Sequence, residues 1–168
     1  LNNGVDGLVQ RILDSYDPQL GEKVSGRQLE YHPAVQLLSR HWDAVRHYWR
    51  GAQAWKRLDM SVAERELRSA LEIDPTFALA HLMLAEVRVF QNQWDAAHSE
   101  IVAARKQSSA LTEIDQLRVE AFLARVSGKP FEERVQLQKL IVLQPHKKEY
   151  VYELAESYVH TADVEEAI

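Results

Sequence analysis

Side chains able to do chemistry are common in this 168-residue chain, yet none stands at a spacing that catalysis uses. Cysteine is absent, which removes disulfides, thiolate metal sites and a cysteine nucleophile. His41 and His47 are six apart, and side chains share a helix face at three or four. They therefore read as surface or half-buried helix residues rather than metal ligands. The sequence contains no HExxH, no GxGxxG or GxxxxGKS/T phosphate loop, and no HRD or DFG. The acidic pairs Glu132-Glu133 and Glu165-Glu166 read as solvated faces, because a general acid needs its pKa raised in a closed pocket. The expectation is a non-catalytic chain with no metal and no cofactor. What remains is aromatic: Trp42, Tyr48, Trp49 and Trp55 crowd one stretch, with Trp94 and Tyr152 further on. Such residues supply binding energy.

The elements that must position these residues repeat. Gly51 and Ala85, Ala63 and Ala97, Leu67 and Ile101, and Ala70 and Ala104 are each 34 positions apart, and Pro75 closes the first copy. A 34-residue period marks a helix–turn–helix unit stacked on copies of itself. Small residues at Gly51, Ala85, Ala121 and Ala155 let the two helices of a unit approach. Ala63, Ala70, Ala97 and Ala104 serve contact between units. Leu67, Leu84, Ile101, Leu137, Leu140 and Leu154 fill the space between. A larger residue at a small position overpacks, at about 1–3 kcal/mol.

Along the chain, Val5, Leu8, Val9, Ile12 and Leu13 share a helical face over Val5–Tyr16, ended by Asp17-Pro18. Pro18–Pro33 reads as a long connecting loop and Ala34–Leu38 as a short apolar piece. Ser39 is placed as the N-cap of a helix over Arg40–Leu58. A turn at Asp59–Ser61 leads to a helix over Val62–Ile73. The next pair covers Phe77–Gln91 and Trp94–Gln107, with Ser108-Ser109 where the first copy has its proline. A third pair, shifted by two residues, covers Glu113–Ser127 and Phe131–Leu143 ahead of Pro145; Glu133 stands where the pattern has alanine, so this unit is expected to be the weakest. A fourth begins near Lys148, with Ala167 at the expected distance. Four units result, 44–77, 78–111, 114–147 and a partial 148–168. The domain reading is therefore an N-terminal helix and loop over 1–39, then a solenoid over 40–168. Leu1 in place of methionine and an end within a helical pattern lead to the expectation of a piece of a longer protein.

The second-helix motifs AERELRSALEIDP and DAAHSEIVAA resemble the tetratricopeptide repeat (TPR), and the resemblance extends over Ala44–Ile168. His47 and Arg50 stand where that pattern has its aromatic and its leucine. The resemblance implies an all-α, right-handed superhelix of antiparallel helix pairs with an additional N-terminal helix and loop. More narrowly, VRHYWRGAQAWKRLDMSVAERELRSALEIDPTFALAHLMLAEV and LTEIDQLRVEAFLARVSGK look like the TPR region of bacterial signalling proteins. There the repeats follow a serine/threonine kinase, adenylate cyclase or winged-helix module, and VDGLVQRIL resembles the last helix of the preceding small module. By the family's geometry the first helices line a concave groove. Its lining would be Tyr48, Ala52 and Trp55; Leu82, Glu86 and Val89; Arg118, Phe122 and Arg125; and Tyr152, Glu156 and Val159. The family's carboxylate clamp is not reproduced, since Ala52 stands where an asparagine is needed. Trp42 and Trp49 are expected to pack against the N-terminal loop and helix.

The implied function is a protein or peptide interaction module, with a ligand-sensing regulatory domain and a self-associating module as the alternatives. The groove's competing occupant is the chain's own Pro18–Pro33 segment. A net charge of −5 argues against a nucleic-acid backbone as partner. No apolar run approaches the 18 residues that span a bilayer, and no signal peptide is visible. A soluble, cytoplasmic domain is favoured over the extracytoplasmic part of a membrane kinase.

Overall fold

The computed structural model describes residues 39–160. The helix expected at Val5–Tyr16, the Pro18–Pro33 loop, Ala34–Leu38 and Ala167 lie outside the described residues. Among the described residues every regular element is helical: α1 Trp42–Lys56, α2 Met60–Ile73, α3 Ala78–Phe90, α4 Trp94–Lys106, α5 Glu113–Val126, α6 Pro130–Leu143 and α7 Lys148–His160. A 3-10 turn at Ser108–Ala110 separates α4 from α5. Local chemistry accounts for three of the starts. The Asp59 carboxylate accepts the Val62 N–H at 3.2 Å, Thr112 Oγ1 accepts that of Asp115 at 3.2 Å, and Pro130 opens α6 where no N–H is needed.

Two local expectations are corrected. Ser39 does not cap α1, which begins at Trp42 after His41. Its hydroxyl instead donates to the Asp74 carboxylate at 2.5 Å and accepts the His41 N–H at 3.0 Å; an ionised acceptor makes the stronger bond. The first turn lies at 57–59 rather than Asp59–Ser61, because the Asp59 cap brings Met60 and Ser61 into α2.

The turns within pairs repeat one geometry. Leu58, Asn92 and Gly128 adopt φ of 59°, 61° and 68°. In each case the next N–H reaches back to the helix: Asp59 to Ala54 at 2.9 Å, Gln93 to Arg88 at 2.8 Å, and Lys129 to Ala124 at 2.9 Å. This left-handed closure satisfies carbonyls that the helix end leaves open.

The core follows the small-and-large pattern. Ala63, Leu67, Ala70, Ala85, Ala97, Ile101 and Ala104 are fully buried, and Leu84, Ala121, Leu137 and Leu140 nearly so. Gly51 is buried, and a Cβ there would stand 2.8 Å from Leu67 Cγ. Leu154 and Ala155 are only half-buried, while Pro75 and Pro145 are exposed at the bends between pairs. Trp42 packs partly buried against the core of the first two pairs. The third pair is not left with an unmatched acid, because Glu133 is buried and paired. Its Oε1 accepts from Arg125 at 2.6 Å and its Oε2 from the Ser157 hydroxyl at 3.1 Å.

A polar contact also repeats. His47 Nδ1 lies 2.9 Å from Glu66, and His81 Nδ1 lies 2.7 Å from Glu100. Both members recur after 34 residues, joining the two helices of each pair. Burial works against the His81 charge, but Glu100 and the Pro75 carbonyl at 3.1 Å outweigh it, so its pKa rises above 6.5. A raised histidine stabilises fully below its ordinary pKa, and that contribution disappears as pH climbs through the higher folded value. The melting temperature of the wild type should therefore fall towards that of His81→Gln as pH rises from below 6.5 through the raised folded value. A pH-independent difference would show that the pair is neutral.

Candidate functional site

Five helices and one bend enclose a cleft of about 370 Å³. Trp55 comes from α1, and Glu86, Val89 and Phe90 from α3. The α5 helix contributes Arg118, Ala121, Phe122 and Arg125, and α7 contributes Glu149, Tyr150 and Glu153 beyond Lys147. Leu137 and Leu140 of α6 form the floor. They belong with Ala121 and Tyr150 to a separate apolar cluster, so the cleft has a solid base. The Trp55 and Phe90 rings meet edge-on at 5.7 Å, although Phe90 remains 60% exposed. A second hollow of about 600 Å³ adjoins the first through shared Val89 and Arg125, and adds Trp94, Lys129, Glu133 and Glu156.

Charges inside the cleft are coupled. Arg118 lies 3.2 Å from Asp115 and 3.5 Å from Glu86. Arg125 lies 2.6 Å from Glu133 and 3.2 Å from Glu153. Burial pushes the Glu86 carboxyl above its ordinary pKa, against the pull of Arg118, Arg125 and Lys147. Burial also raises Glu153, opposed by Arg125 and reinforced by Glu86. Burial disfavours the Arg125 charge, but Glu133 and Glu153 overcome this and hold its pKa above the usual value. Lys147 sits over the Tyr150 ring at 5.1 Å. The arrangement suits a ligand with both apolar and charged groups. Among the described residues, no cluster of three or more His, Asp or Glu could hold a metal ion. No described helix is long and apolar enough to cross a membrane.

Trp55, Glu86, Val89, Arg118, Phe122 and Arg125, each expected in the groove, come together in this cleft, and Glu156 lines the adjoining hollow. Leu82 is a correction: it is 1% exposed and belongs to the core. Tyr48 is half-buried with its ring 4.9 Å from that of Phe77, which takes it out of the open groove. Ala52 is half-buried outside both hollows. Tyr152 and Val159 are exposed, at 71% and 59%, and line neither hollow. The α7 helix instead offers Glu149, Tyr150 and Glu153. Glu149 and Glu153 are one turn apart and so share a face. The family's geometry placed Tyr152 and Val159 in the groove, but the cleft lies between α5 and α7 and takes the side of α7 turned back towards α5.

Arg125 has two duties, since it lines the cleft and also pairs with buried Glu133. An alanine there therefore disturbs folding as well as any binding. Phe90 was missed by sequence reasoning although it directly follows Val89. Its exposure beside Trp55 is a property of the packed pair. No protein-family model matches this chain, and no curated protein matches it.

Proposed function

We propose that the described helices form a TPR-type solenoid that binds a protein segment along the face of α3, α5 and α7. In this reading it is the non-catalytic interaction arm of a larger signalling protein, as the sequence resemblance implies. The observation that carries the binding reading is the cleft itself. It gathers aromatic, arginine and carboxylate side chains from successive helix pairs over an apolar floor. Exposed aromatic and arginine side chains around a desolvated centre are the composition of interaction hot spots.

Selection from a random peptide library on the 168-residue chain tests the reading. Enriched peptides should lose about tenfold in affinity, or 1.4 kcal/mol, against Phe90→Ser. The melting temperature of that variant should hold, because Phe90 is mostly exposed. Undiminished binding to the variant would place the peptide elsewhere and remove the assignment. The cleft volume also falls within the range of small-molecule sites. A metabolite that raises the melting temperature, with no peptide enriched, would move the assignment to a ligand-sensing domain.

A further inference from the structure

We propose that the occupant of this cleft is a basic segment, whose lysine or arginine side chain enters among Glu86, Glu149 and Glu153 with its stem against Phe90 and Phe122. The inference rests on the peptide-groove reading and names the partner's chemistry. The two hollows carry Glu86, Glu133, Glu149, Glu153 and Glu156 against Arg118, Arg125, Lys129 and Lys147. Two of those four cations are also held from outside, Arg118 by Asp115 at 3.2 Å and Lys129 by Glu132 at 3.0 Å. The lining of the two hollows therefore holds five carboxylates and four cations, and two of those cations are shared with carboxylates outside it.

The shortage falls on the open part of the cleft. Arg125 makes its shortest contact, 2.6 Å, with buried Glu133, and reaches Glu153 at 3.2 Å. Glu86 has Arg118 only at 3.5 Å. Burial raises the pKa of both Glu86 and Glu153, and Glu86 acts on Glu153 in the same direction. An entering cation would relieve that repulsion without displacing an existing pair. An entering carboxylate would have to take Arg118 or Arg125 from partners already in place. Phe90, Phe122 and Trp55 supply ring surface for the aliphatic stem of a long basic side chain.

The test uses the peptides enriched on the full chain. The pool should be rich in lysine or arginine, and its tightest member should lose about tenfold when those residues become glutamine. The Glu86→Gln, Glu153→Gln variant should cost a similar factor. The two losses should not add, because both remove the same contact. Burial already favours the uncharged form at both positions, and the variant's melting temperature checks that it folds. Affinity of the wild type should also fall with added salt, a readout that needs no variant. A neutral or acidic pool, fully additive losses, or a salt-independent affinity would overturn the basic partner and leave the peptide groove standing. Failure to enrich any peptide would remove both.

Discussion

Truncating Leu67 to alanine should lower stability by about 3–4 kcal/mol, within the span measured for buried leucines. Leu67 is fully buried in the larger apolar cluster and fills the space opposite Gly51. The more telling result is its coupling to Gly51. A Cβ at Gly51 would meet Leu67 Cγ at 2.8 Å and Cδ2 at 3.1 Å, while the Ala63 carbonyl lies at an ordinary 3.4 Å. Gly51→Ala alone gains about 1 kcal/mol of helix propensity and loses about 1–3 kcal/mol to overpacking; with the Cβ as close as 2.8 Å to Leu67 the loss should lie in the upper part of that range, for a net destabilisation of about 1–2 kcal/mol. With Leu67 already cut to alanine the obstruction is gone and only the propensity gain remains. Gly51→Ala should then stabilise by about 1 kcal/mol. Urea unfolding of the four proteins reads both signs. The same sign in both backgrounds would mean that Gly51 is small for a reason other than Leu67.

That contact also shows why the fold was legible. The positions that had to be small or large recur at a fixed interval, so Gly51, Ala63, Leu67 and Ala70 and their successors could be assigned from spacing alone. The helix ends were legible to within a few residues, because Pro75, Pro130 and Gly128 interrupt a helix by their covalent structure. Leu58 carried no such signal. It takes the same left-handed turn as Asn92 and Gly128 because the pair closes there, and leucine by itself disfavours that conformation. The His47–Glu66 and His81–Glu100 contacts were present in the spacing, since both members recur after 34 residues. A histidine on a helix pairs with a carboxylate of the neighbouring helix as readily as it ligates a metal, and the shared period of the two residue types is the mark of that pairing.

The site was less legible, because spacing tells which residues share a face and not which face opens onto a cleft. Leu82 falls on the expected row but is closed over by the core, whereas Glu153 falls off the row yet meets Arg125. Both outcomes depend on how far one helix pair is rotated against the next. That rotation is the sum of many packing contacts and leaves no single residue as its mark.

Glu133 brings these two levels together. Its position matches Ala63 and Ala97, so Glu133→Ala restores the repeat pattern, and pattern-restoring changes commonly stabilise. The opposite is expected here. Glu133 is 5% exposed and connects Arg125 of α5 to Ser157 of α7. Beside it, Arg134 donates to the Ser157 carbonyl at 3.0 Å and stacks over Tyr158 at 3.8 Å. Alanine would take from Arg125 the shorter of its ion pairs, leaving that to Glu153, and take an acceptor from the Ser157 hydroxyl. Removing one partner of a fully buried ion pair costs about 3–5 kcal/mol. Arg125 keeps a quarter of its side chain exposed, so about 2–3 kcal/mol is expected here. Glu133→Gln, which keeps the volume and one acceptor, should lose about half as much. Because the lost contacts tie α7 to α5 and α6, amide exchange should accelerate over α7 and leave α1 and α2 unchanged, as local opening permits. A stabilised alanine variant with unchanged exchange would make the third pair an ordinary unit. It would also free Arg125 to act as a groove residue alone.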